Sequence, residues 1–282
     1  MRRLEMTDTL TYGPRLVAQP TGALRAAVLV APTPSIENAR PLHGELNAIY
    51  SRARAQQEIL AKTLRYFGCE VTMLESQSTD PYACAVADAA TVFENGAVMM
   101  RPGAMTRRPE SAWLEAQFVQ RDIPIAGHIA APGLLDGSDV LLVGRTAFIG
   151  VSDRSNALGR SGFAQIAKAH GFAVREVELR EPSAPLRALA GAVSADSVVL
   201  APQSSIDHRA FDGFTIFTAP LGHERGAGVL TIGEHHVLAN VRYPDVIDTL
   251  RRGGVVVEAI DLHDFGRVGI TPSMLAVDLK RV

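Results

Sequence analysis

The sequence predicts a single α/β domain built from one recurring unit: a strand hairpin, then a helix, then a further strand. Three observations predict it. Short apolar runs of strand length come in pairs around turn residues, and helical segments with apolar residues at three- and four-residue steps follow them. The unit returns at a spacing of roughly 50 residues. No stretch rich in Pro, Gly or Ser divides the 282 residues. One domain is therefore expected over residues 24–282, after an N-terminal extension at 1–23. An open doubly wound sheet would need a glycine-rich first turn, which is lacking, and would not need so many hairpins.

The elements follow in order. Leu24 to Ala31 is apolar nearly throughout, as a strand covered on both faces requires. From about Gly44 to Phe67 the residues Leu46, Ile49, Ile59, Leu60, Leu64 and Phe67 predict a helix, which Gly68 ends. Cys69 to Leu74 is the next strand. Val92-Phe93 and Ala97–Met100 flank an Asn95-Gly96 turn. A helix at Pro109–Gln120 leads to a strand at Ile123–Ala126. A second hairpin pairs Val140–Val143 with Ala147–Gly150, and the helix Ala157–His170 and strand Ala173–Leu179 follow. Ser197–Leu200 and Phe214–Phe217 form a third pair. Gly228–Ile232 and Val237–Asn240 form a fourth, followed by a helix at Pro244–Arg251 and a strand at Val255–Ala259. Met274–Leu279 closes the series.

Composition narrows the function classes. With 28 Lys plus Arg against 30 Asp plus Glu, the formal charge is −2, which gives no electrostatic reason to bind nucleic acid or anionic lipid. Aromatic residues are 6% of the chain, too few for a base-stacking surface. The basic start Met1-Arg2-Arg3 has no apolar segment behind it, and no apolar window is long enough to cross a bilayer. Two cysteines, Cys69 and Cys84, supply neither a disulfide framework nor a four-thiolate zinc site. The expectation is a cytoplasmic protein with no metal and no cofactor. Asp261-Leu262-His263-Asp264 is a weak metal signal, better read as a solvated loop.

Three segments carry more than periodicity: Met100–Glu110 (MRPGAMTRRPE), Leu135–Leu141 (LDGSDVL) and Phe148–Gly159 (FIGVSDRSNALG). In order, spacing and hairpin context they resemble the dimethylarginine dimethylaminohydrolases of the guanidine-modifying (pentein) superfamily, from about Arg25 to the C-terminus. The resemblance implies a pentein α/β-propeller of five ββαβ modules around a central guanidine-binding pocket. It also implies a cysteine nucleophile near the C-terminus, a histidine acid/base, carboxylates that hold a guanidinium, and two arginines that hold a carboxylate.

Position by position, the resemblance implies a retained grip and altered chemistry. Arg101 and Arg154 match the two arginines, whose forked guanidinium groups suit a carboxylate. Asp88 aligns with a guanidinium-binding aspartate, and Asp136 takes the acidic place in the Leu-Asp-Gly-Ser-Asp segment. Tyr82 and Ala87 stand where the family has carboxylates, so the ligand need not carry an α-amine. In Gly269–Leu275 the nucleophile's place falls to Pro272 or Ser273, and in Leu179–Arg187 the histidine's place falls to Ala184 or Pro185. Blander readings stand beside these. Arg154 pairs with Asp153 or Asp139, Asp136 is a turn residue, and Cys84 is a small buried hydrophobe. Two functions follow. One is a hydrolase of a non-peptide C–N bond in a guanidine or amidine, working through Asp136, Ser273 or Cys84, with Asp88, Arg101, Arg154 and Tyr82 binding the substrate. The other is a non-catalytic sensor or partner subunit that binds a guanidino or carboxylate metabolite. A homodimer is compatible with either.

Overall fold

The computed structural model describes residues 12–13, 15–76 and 78–282. Five three-stranded sheets are arranged in a ring, each with an antiparallel pair followed by a parallel third strand. The first sheet is made from both ends of the chain. β1 (Leu24–Ala31) lies between β2 (Glu70–Glu75), which is parallel to it, and the last strand, which is antiparallel. The helix α1 (Tyr50–Tyr66) joins β1 to β2 and buries Ala53, Gln56, Gln57, Leu60, Ala61 and Leu64, a face with three- and four-residue spacing. The second sheet is β3 (Ala90–Phe93), β4 (Gly96–Met99) and β5 (Ile125–His128), with α2 (Arg108–Val119) between the last two. The third is β6 (Val140–Val143), β7 (Thr146–Val151) and β8 (Ala173–Glu178), with α3 (Ala157–Ala169). Asn156 caps α3 by accepting the Gly159 N–H.

The fourth module departs from the sequence expectation. Ser197–Leu200 and Phe214–Phe217 are not a hairpin. After the single turn α4 (Leu186–Leu189), the strand β9 (Ala190–Ser194) pairs antiparallel with β10 (Ser197–Leu200), and β11 (Thr215–Thr218) lies parallel to β10. The small residues Ala190-Gly191-Ala192 hid that strand from an apolar-run reading. A 3-10 turn, His208–Phe211, occupies the helix position. The fifth module is β12 (Leu230–Gly233), β13 (His236–Asn240), α5 (Pro244–Arg252) and β14 (Val256–Ile260). The turn α6 (His263–Arg267) then leads to β15 (Ala276–Arg281), which pairs with β1 and joins the chain ends. Upstream of β1, Val17 bridges to Arg281, and the Leu16 N–H donates to the Glu94 carbonyl.

The helix expected from Gly44 begins at Tyr50. Gly44 has φ +78° and Leu46 is 71% exposed, so the apolar residues before Tyr50 sit in a loop despite their spacing. Distant carboxylates fix the start of α1. The Ile49 N–H donates to Asp264 (2.8 Å) and the Tyr50 N–H to Glu37 (2.9 Å). That correction matters for function, because the freed loop lies over the ring axis. Adjacent sheets touch through their first strands, β15 with β3, β6 with β9, and β9 with β12. Turns ahead of those strands therefore gather at the centre. Leu64 of α1 is fully buried and Lys62 exposed. Urea unfolding is expected to show a loss of about 2–5 kcal/mol for Leu64→Ala and less than about 0.5 kcal/mol for Lys62→Ala.

Candidate functional site

Two 3-10 turns bring the carboxylates together. Val86–Asp88 precedes β3 and Gly137–Asp139 precedes β6, and the turns pack against each other. Gly137 makes this approach possible, since a Cβ there would collide with the Ala87 carbonyl oxygen. Asp88 and Asp136 are each 3% exposed, and both line a cavity of about 800 Å³ on the axis. The Arg154 backbone packs on Gly103, where a Cβ would also clash, while the Gly103 N–H donates to Asp136 Oδ1 at 2.8 Å. One glycine thus ties the Arg-Pro-Gly-Ala segment to both Arg154 and Asp136.

Each buried charge is met differently. Asp88 Oδ2 pairs with Arg107, and Oδ1 accepts from the Ser138 hydroxyl. Arg107 also binds Glu110 Oε2 through Nε (2.9 Å) and Nη2 (2.8 Å), and donates to the Ala85 carbonyl at 3.2 Å. Burial works against the Arg107 cation, but Asp88 and Glu110 outweigh it and hold its pKa above the usual arginine value. Among the described residues Asp136 has only Arg154 Nε, at 3.6 Å, and the Gly103 amide. Burial, followed by the charge of Asp88, pushes its carboxyl up to about 8. At neutral pH it is mostly protonated. Asp139 accepts from Ser152 (2.5 Å) and from the Leu186 N–H (3.0 Å), and burial raises it to about 6.

Arg154 lines the cavity, with its Nη1 buried and unpartnered among the described residues. Arg225, paired with Glu181, lines the same cavity and also has an unpartnered buried Nη1. Arg40, Arg107, Arg154 and Arg225 face Asp80, Asp88, Asp136 and Glu181 across it. Among the described residues Arg154 and Arg225 each keep a buried Nη1 without a partner, which suits an anion. Tyr82 lines the wall, where its hydroxyl accepts the Arg40 N–H at 3.1 Å, and His43 stands exposed in the loop at the mouth.

Three expectations change here. Arg101 does not line the cavity; its Nη1 donates to the Gly133 carbonyl at 3.1 Å, and its backbone bridges to Leu135. Cys84 is 1% exposed among apolar side chains, does not line the cavity, and has its thiol pushed by burial to about 12. Ser273 is 3% exposed, donates to the Arg187 carbonyl at 3.1 Å, and lines a separate, smaller cavity. His263 lies against Arg242 in a neighbouring groove. Sequence reasoning missed Arg225 and Glu181, which carry no local motif. It also passed over Arg107, a buried ion pair three residues before Glu110.

Among the described residues no group of His, Cys, Asp and Glu has the geometry to hold a metal, and no helix is long and apolar enough to cross a membrane. No family model matches the chain. A curated dimethylarginine dimethylaminohydrolase of Streptomyces coelicolor is 27% identical over 261 residues, covering 92% of this chain and 98% of that protein. The enzyme of the same name from Pseudomonas aeruginosa is 26% identical over 220 residues, covering 78% and 85%. A solved structure of the Pseudomonas aeruginosa enzyme, a cysteine-to-serine variant complexed with citrulline, superimposes with a TM-score of 0.83 at 23% identity, covering 90% of this chain and 99% of that one. Five sheets of ββαβ type around an axial cavity are the pentein fold. In sequence the chain is similar to the dimethylarginine dimethylaminohydrolases over most of its length.

Removing the cation from the buried Asp88–Arg107–Glu110 cluster leaves two uncompensated carboxylates, so Arg107→Met is expected to lose about 3–5 kcal/mol in urea unfolding. A carboxyl raised in the folded state stabilises fully below its unfolded pKa and loses that contribution as pH climbs to the folded value. Wild-type stability is therefore expected to fall between pH 6 and 8 as Asp136 ionises near 8. Asp136→Asn, which keeps the oxygen that accepts from Gly103, is expected to remove on the order of 2 kcal/mol of that slope in thermal unfolding followed against pH.

Proposed function

We propose that the chain hydrolyses a non-peptide C–N bond in a small guanidino or amidino compound that carries a carboxylate, and does so without a protein thiolate. The carrying observation is that Asp136, with its carboxyl near 8, shares one cavity with Asp88 and with the free Nη1 of Arg154. A group that titrates close to neutral pH can exchange a proton with a reacting centre in either direction. Arg154 and Arg225 would grip the carboxylate, since charge-assisted bonds from guanidinium forks suit it. Each oxygen of Asp88 already accepts one internal bond and retains a further lone pair for the cationic end. Tyr82 takes the wall position without offering a carboxylate, which supports a ligand that lacks an α-amine.

In the reaction, water adds its oxygen to the guanidino carbon and one C–N bond breaks. Asp136 passes a proton to the departing nitrogen, so a guanidinium and water give a urea and an ammonium. Cys84 and Ser273 have no part in it, because neither lines the cavity. The similarity to two curated hydrolases supports the reaction class.

The second reading is binding without turnover, as a sensor or partner subunit. It is favoured by the lining itself, which among the described residues contains no thiol and a single imidazole, His43, exposed at the mouth. Release of amine, ammonia or urea from arginine, methylated arginines and amine-free guanidino acids separates the two, with calorimetry on the same compounds. The expected result is turnover that Asp136→Asn abolishes while binding persists, and a tenfold to hundredfold weaker affinity in Arg154→Ala, about 1.5–3 kcal/mol. Binding without product in the wild type would select the second reading. No binding of any of these compounds would overturn both.

A further inference from the structure

A second cavity, of about 70 Å³, is lined by Val17 and Pro20 and by strands from several modules. Neighbouring residues separate the two cavities. From one segment Ala184 and Pro185 face the large cavity and Arg187 the small one; from another, Ile270 and Met274 face the large cavity and Ser273 the small one.

Among the described residues three charged side chains line the small cavity: Arg187, Arg281 and Asp278. Arg281 is fully engaged. Its Nε donates to Asp278 Oδ2 at 2.9 Å, its Nη1 to the Gly22 carbonyl at 2.8 Å and its Nη2 to the Thr231 carbonyl at 2.6 Å. Arg187 is not. Its guanidinium makes no hydrogen bond and no ion pair among the described residues, and its Nε is buried without a partner. Burial lowers its pKa, yet a guanidinium stays charged at any physiological pH. Its backbone is pinned, because the hydroxyls of Thr271 (3.0 Å) and Ser273 (3.1 Å) both donate to its carbonyl. With Arg281 and Asp278 cancelling, one positive charge is left over at this cavity. Arg187 is half-buried with its Nε enclosed, and a charge desolvated without a partner is costly to a fold.

We propose that this second axial cavity binds a small monovalent inorganic anion of the chloride class through the Arg187 guanidinium. The volume admits a few water-sized groups and excludes an organic metabolite. Among the described residues Asp278 Oδ1, buried and also unpartnered, is the carboxylate oxygen that opposes the anion. The site is independent of the proposed reaction and lies on the other side of the septum from Asp136. It also gives Ser273 a structural role, holding the Arg187 backbone in place.

Thermal unfolding of the full chain in sodium chloride and in sodium gluconate at equal ionic strength tests this, because gluconate is too large to enter. Chloride at ten times its Kd is expected to raise the folded-to-unfolded ratio about tenfold over gluconate. Arg187→Met is expected to lose that difference and to be the more stable protein in gluconate. Wild-type crystals soaked in bromide should show an anomalous peak within hydrogen-bond distance of Arg187, a result that decides the matter even where the variant does not fold. Equal stability in the two salts, a chloride effect that survives Arg187→Met, or bromide found only elsewhere would overturn the proposal.

Discussion

Charge buried on the axis is the constraint from which the rest of this structure follows. Turns from neighbouring modules converge there, and they bring Asp88, Asp136 and Asp139 into a space that solvent barely reaches. Desolvating a carboxylate costs several kcal/mol unless something compensates it. The fold compensates in three ways. Asp88 takes the Arg107 cation, Asp139 takes a hydroxyl and the Leu186 amide, and Asp136 keeps its proton. Asp136, raised to about 8, lines the large cavity, whereas Asp139, raised to about 6, does not.

The modular ring explains why the groups lining the large cavity come from distant parts of the chain. The modules contribute short turns and loops to the axis: Tyr82 and Asp88 before β3, Asp136 before β6, Arg154 after β7, Glu181 and Ser183 after β8, and Arg225 before β12. No single stretch holds a site. The loop before α1, with Leu42 and His43, covers the opening from the first module. Two glycines, Gly103 and Gly137, set the spacing, because any side chain at either would push the carbonyl it faces away from the axis.

The septum between the cavities decides which candidate nucleophiles matter. Ser273 and Cys84 lie within a few residues of cavity-lining positions, Met274 and Ala85, yet neither borders the large cavity. In a 3-10 turn successive side chains point in different directions, so a shift of one residue moves a hydroxyl from one chamber to the other. In the α-helical turn Leu186–Leu189, Arg187 likewise lines the small cavity and its N-cap Pro185 the large one.

Much of the fold was legible in the residues alone. Alternation, Asn-Gly and Gly turn chemistry and helical spacing located nearly every strand and helix, because those signals arise from neighbours in sequence. They missed β9, whose small residues carry no apolar run, and overextended α1, whose first turn is decided by Asp264 and Glu37 far along the chain. The family segments also marked Asp88, Asp136 and Arg154, all of which reach the axis. Tertiary structure alone decided that Arg101 turns to the Gly133 carbonyl, that Arg225 and Glu181 join the wall, and that Asp136 holds its proton. Those outcomes depend on burial and on charges from other modules. Both are properties of the closed ring, and no local stretch of chain encodes them.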